Sequence, residues 1–234
     1  MSKKSLFYVA GGALLILMAV LTFFESALSF SSTMRPYFEK AELSFKIFKS
    51  RGFFKYFMRE GMGFQSWARI ILLALAGIVC LVKAFMPDLI PSIALGGIFG
   101  LLAVLALIGF SIRLINMFRL NIGFTGFLCY AVWLLMDLLT LAAYGGMAAI
   151  IILKDSLGGL FFVPAAAAVV NAFIAFLVNV TGMFKMFGMS YQFMYLNNFP
   201  SAITWTFGAS LLFLIIDCVL VAALFAVGMA NNEE

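Results

Sequence analysis

Six apolar runs divide the sequence: Leu6 to Phe24, Trp67 to Met86, Ile93 to Ile112, Phe124 to Leu153, Gly158 to Phe184 and Ala202 to Val227. A helix rises 1.5 Å per residue, so about 20 apolar residues match the roughly 30 Å hydrocarbon core of a bilayer. Nothing constrains the chain more. Of its 234 residues 65% are hydrophobic and 11% charged, with a mean hydropathy of +1.13, against about 45–50% apolar and about 25% charged in soluble domains. A single aqueous core cannot absorb that excess, whereas lipid accepts apolar side chains on every face if each backbone amide is bonded within its own helix. The runs are continuous rather than alternating with period two, which favours helices over a barrel. The expected fold is an all-α integral membrane protein of about six transmembrane helices.

The run from Leu6 to Phe24 follows Lys3 and Lys4 and exceeds the roughly 7–15 residue core of a signal peptide, so it reads as a retained anchor. Met86-Pro87-Asp88 and Pro91 separate the second and third runs, Lys154-Asp155-Ser156 ends the fourth, and Gln192, Asn197, Asn198 and Pro200 lie between the last two. The fourth run is long enough to imply tilt or protrusion. Four regions follow: an N-terminal span (1–30), a basic segment (31–66), a four-helix core (67–186), and a connecting segment with a last span (187–234).

The basic segment holds Arg35, Lys40, Lys46, Lys49, Arg51, Lys55 and Arg59 against Glu39, Glu42 and Glu60. Phe38, Ala41, Phe45 and Phe48 recur in it at helical spacing. Such a mixture suits an amphipathic helix in the headgroup plane, where Lys40, Lys46, Lys49, Arg51, Lys55 and Arg59 would reach anionic lipid. A docking surface for a partner subunit is the alternative. Placing this segment on the cytosolic or matrix-like side also puts Arg113, Arg119 and Lys185 there, as the bias of Lys and Arg towards the inside requires. Lys3 and Lys4 dissent.

Within the spans, Asp137 and Asp217 are expected near the bilayer midplane, roughly 20 Å from the inner surface. Their surroundings match: Trp133 and Phe213 precede the aspartates by four residues, and Ala142-Ala143 and Ala222-Ala223 follow five later. A carboxylate at that depth costs about 2.5–3.5 kcal/mol on insertion scales, so each needs a partner, a proton or water. Lys83 and Asn171 are candidate partners at similar depth, and Arg69 can snorkel towards the fourth helix. Two readings stay open: inter-helix bonding, or an ion relay. Gly96 and Gly100 have the spacing that lets helices approach closely, within one chain or between chains.

The sequence lacks histidine, which removes bis-histidine haem sites, most zinc and copper sites and the commonest general base. No P-loop, nucleophile elbow, HExxH or CxxC pattern occurs. Cys80, Cys129 and Cys218 lie singly in apolar runs and read as packing residues. Asn179-Val-Thr181 fits the glycosylation pattern but falls inside a span. No catalysis, cofactor, metal or nucleic-acid partner is expected. Bound lipids, other membrane subunits or further copies of the chain are.

Residues 67–186 form four spans with both ends inside, with Arg69 opening the first and Asp137 midway along the third. That layout resembles the MARVEL and Casparian-strip-like four-helix membrane proteins, whose plant branch carries an arginine in the first span and an aspartate in the third. The resemblance implies membrane apposition, junction or vesicle organisation and self-assembly in the bilayer, without catalysis. An extra span at each end and short loops fall outside the family layout.

Overall fold

A computed structural model describes residues 2–34, 57, 62–119, 123–181 and 207–232. Among these every regular element is a helix, and six are long: α1 (Lys3–Met34), α2 (Phe64–Phe85), α3 (Ser92–Arg119), α4 (Gly123–Ile152), α5 (Val163–Thr181) and α6 (Phe207–Asn232). Five contain stretches long and apolar enough to cross a membrane: Lys3–Phe24, Phe64–Phe85, Ser92–Arg119, Tyr130–Ile152 and Ile215–Asn232. Val163–Leu177, within α5, is apolar but shorter.

The helix ends follow local chemistry. Gly63 leads into α2 with an extended backbone, φ −70° and ψ 162°. Pro87 has no amide hydrogen to continue that helix, which closes with Met86 N–H on the Val82 carbonyl at 2.7 Å. Pro164 sits in the first turn of α5, where its missing donor costs nothing. Between α4 and α5 the chain makes two short helical turns, Lys154–Leu157 and Gly158–Leu160.

Each helix packs on the next in sequence, and α6 packs back on α1 to close a ring. Neighbours run antiparallel. Along α1 and α2, Tyr8 lies under Lys83 and Gly12 meets Gly77 and Leu81. Ala103 meets Gly145 and Arg113 meets Asp137 across α3 and α4. Pro164 meets Gly146, and Phe161 meets Gly228. Gly11 on α1 faces Val227 on α6, so the start of α1 and the end of α6 share one end of the bundle.

All six helices feed one core, which includes Leu15, Leu73, Phe99, Met147, Ala168 and Leu224. Outside it the bundle is apolar: Ile71, Leu101, Val104, Val170 and Phe173 are each at least half exposed or close to it. A continuous apolar surface of that extent needs lipid, not water. The hydroxyls are satisfied locally, Thr22 on the Met18 carbonyl, Ser26 on Thr22, Ser111 on Leu107 and Thr140 on Met136, all within 2.9 Å. This back-bonding by one turn lets a hydroxyl enter lipid without a second helix.

Glycines set the closest approaches. A Cβ on Gly12 would lie 2.8 Å from the Gly77 carbonyl oxygen, and one on Gly77 would lie 2.7 Å from Ile16 Cγ1. On the other side of α1, a Cβ on Gly11 would come within 2.8 Å of Val227 Cγ2. Gly96 serves α3 in the same way, 2.7 Å from Ile152 Cγ1, whereas Gly100 meets nothing within 4 Å. Gly96 lies at one edge of the buried face of α3, which also carries Leu95, Phe99, Leu102 and Ala103, and four residues on, at about 100° per residue, Gly100 is turned a further 40°, just past that edge. Gly96, of the expected pair, makes the intramolecular contact.

A polar band around the bundle

The contacts between helices fix which residues share a level. Fourteen residues on from Tyr8 lies Thr22, and fourteen back from its neighbour Lys83 lies Arg69. Ten back from Val227 lies Asp217, and ten on from its neighbour Gly11 lies Leu21, next to Thr22. Eleven back from Gly228 is again Asp217, and eleven on from its neighbour Phe161 is Ala172, beside Asn171. Asn171 Nδ2 donates to Thr140 Oγ1 at 3.3 Å, one turn from Asp137. Asp137 Oδ2 lies 3.3 Å from Arg113 Nε. The register therefore places one polar side chain from each helix, Thr22, Arg69, Arg113, Asp137, Asn171 and Asp217, in a single band around the ring.

The aspartates face inward. Residues seven apart share a helix face, and Asp137 is aligned with Tyr144, 2% exposed, as Asp217 is with Leu224, 0% exposed. The matching Ala-Ala pairs repeat the pattern: Ala143 and Ala223 are buried, Ala142 and Ala222 exposed. Asp137, Asn171, Asp217 and Arg69 are all partly buried.

Around Asp137 the surroundings are built from α3 and α4. Trp133 is one turn before it, and the Arg113 guanidinium lies over the Trp133 ring at 5.8 Å. Tyr130 meets that ring edge-on at 5.3 Å. Met117, Tyr130, Trp133 and Leu134 form a small core of their own here. Asp137 Oδ2 is buried without an aligned hydrogen bond, so its contact with Arg113 is one of charge rather than directed bonding. Asn171 Oδ1 and the Tyr144 hydroxyl are likewise buried without a hydrogen bond.

Asp137 thus pairs across the α3–α4 hairpin with Arg113, and neither Arg69 nor Lys83 takes that place. The reason is topological: α3 stands between α2 and α4. Lys83 lies about 20 Å from the band, in the last turn of α2, 3% exposed. There its Nζ donates to Ser92 Oγ at 2.6 Å and lies over the Tyr8 ring at 5.6 Å. At the same end Asn231, 1% exposed, donates Nδ2 to the Ile150 carbonyl at 3.4 Å.

On α2 and α3 the band lies near a helix end, whereas Asp137 is midway along α4. Arg113 is six residues before the end of α3 and Arg69 five after the start of α2, about 8–9 Å from those ends. The headgroup residues Lys40, Lys46, Lys49, Arg51, Lys55 and Arg59 fall outside the described residues. Phe57 is described and packs edge-on against Phe23 at 5.6 Å, so the chain returns to the bundle before α2. Among the described residues no group of three metal-ligating side chains occurs. Compared with known proteins, the chain matches no family model, no curated protein and no solved structure.

Proposed function

We propose that the chain is a non-enzymatic, multi-pass membrane protein that serves as a structural or accessory subunit, organising helices and lipid within a membrane assembly. The observation that carries this reading is the composition of the band: two arginines and two aspartates at one level, with Asp137 already engaged by Arg113. A carboxylate already met by a guanidinium of the neighbouring helix ties those two helices together rather than waiting for an ion. On this reading α5 is the sixth span, tilted or shortened beside its neighbours. The basic segment lies on the cytosolic or matrix-like face in contact with anionic headgroups.

Other membrane subunits, or further copies of the chain, cover part of the apolar exterior. The likeness of residues 67–186 to the MARVEL and Casparian-strip-like proteins belongs to the same proposal, with Arg69 and Asp137 as the matching positions. A second reading has one observation in its favour: Asp137 and Asp217 face inward at one level, with Asn171 between them. That arrangement would suit a proton or cation path.

Purification of Asp137→Asn and Asp217→Asn variants in gentle detergent tests the first reading. Loss of assembly, or of co-purifying chains, is the expected result. Intact assembly together with lost ion flux would overturn it.

A further inference from the structure

The turn between α2 and α3, residues 86–91, reverses the arrangement a soluble protein would have. In water a lysine near a helix end keeps its ammonium solvated. Lys83 turns inward instead, 3% exposed, with Nζ on Ser92 Oγ at 2.6 Å and over the Tyr8 ring. The apolar side chains beside it turn out: Met86 is 59% exposed, Leu89 66% and Ile93 64%. They continue the outer stripes of the two helices. On α2 the exposed stripe runs through Ile71, Leu75, Ile78 and Phe85, and on α3 it starts at Ile93 and passes Leu101, Val104 and Ile108, each set spaced as one helix face.

The backbone of the turn suits the same surroundings. Pro87 and Pro91 have no amide hydrogen. Met86 N–H closes on the Val82 carbonyl at 2.7 Å, and Leu89 N–H on the Met86 carbonyl at 3.2 Å. Among the described residues that leaves only the amides of Asp88 and Ile90, within the turn, in need of an outside acceptor, which keeps the cost of removing the turn from water small. Irregular backbone facing lipid is not tolerated within the hydrocarbon, so such a turn belongs where ester and phosphate oxygens and water begin. We propose that the α2–α3 turn is seated in the host bilayer at the boundary between headgroups and acyl chains, with Met86 and Leu89 against lipid and Asp88 towards the headgroups.

This inference rests on the chain being in a membrane and not on the subunit reading, so it is tested in lipid alone. Met86→Cys, Asp88→Cys and Leu89→Cys replace exposed side chains and should fold as the wild type. Each full-length variant is labelled with a nitroxide and reconstituted into phosphatidylcholine liposomes, and the wild type treated in the same way supplies the background from the native cysteines. Collisions of the nitroxide with oxygen, which concentrates in lipid, and with a nickel chelate, which stays in water, are read by power saturation with both reagents equilibrated across the membrane.

Nickel collisions at positions 86 and 89 should be about tenfold fewer than at position 88, the factor that burial of a leucine-sized apolar side chain supports, and oxygen should dominate there. Equal nickel access at all three positions would put the turn in water and overturn the proposal. Protection at position 89 that disappears as the chain is diluted into more lipid would also overturn it, because the cover would then be a second copy of the chain.

Discussion

The two ends of the bundle are held in opposite ways. Where the first helix begins and the last one ends, side chains are removed: Gly11, Gly12, Gly77 and Gly228 bring backbones within van der Waals contact. Lys83 is tied down locally to the adjacent turn. Towards the other end the helices meet through polar groups, with Arg113 on Asp137 and Asn171 on Thr140. Close packing is insensitive to charge and intolerant of volume. The polar band has the reverse tolerance, and the contrast is open to direct test.

Adding volume at the tight end should have the largest effect. Gly12→Leu or Gly77→Leu must displace a carbonyl oxygen rather than a flexible side chain, so thermal unfolding in detergent should show a loss of about 3 kcal/mol, the upper part of the overpacking range. Next comes the ion pair. Asp137→Ala should cost about 1 kcal/mol, since Arg113 is half exposed and the pair is correspondingly weakened. The exchanged pair Arg113→Asp with Asp137→Arg should recover part of that loss, and a double mutant no better than its worse single would break the assignment.

Asn171→Leu removes one inter-helix bond between neutral groups and should cost about 0.6 kcal/mol, the mean measured for such bonds in membranes. Smallest of all is Gly100→Ala. With nothing within 4 Å of its Cβ position, stability should change by less than about 0.5 kcal/mol, whereas Gly96→Val on the same helix should be clearly destabilising.

The helices were legible because apolar length is a direct physical requirement of the bilayer, and each described helix lies on an expected run. Depth within the bundle was harder. Counting along a run places Lys83 beside Asp137, but helices begin at different heights, and only contacts between them set a common level. The same counting ended the third run at Ile112, although Leu114 and Met117 continue the packed face. Arg113 therefore read as an inner boundary rather than a partner of Asp137.

Thr22 and the Gly11-Gly12 pair are one-residue features in an apolar run, and their roles depend on α2 and α6, which sequence spacing alone does not bring near. The matching segments around Asp137 and Asp217 were legible, because an aspartate in such a run is costly enough to stand out.

The claim that matters most is that the charges of the band hold the bundle together rather than move ions. Its most direct test is to reconstitute the wild-type chain, Asp137→Asn and Asp217→Asn into liposomes with pH- and cation-sensitive dyes and to follow flux over a range of pH and cations. The account predicts no flux above empty liposomes for any of the three. Flux through the wild type that either substitution abolishes, in protein that is still fully assembled, would contradict it.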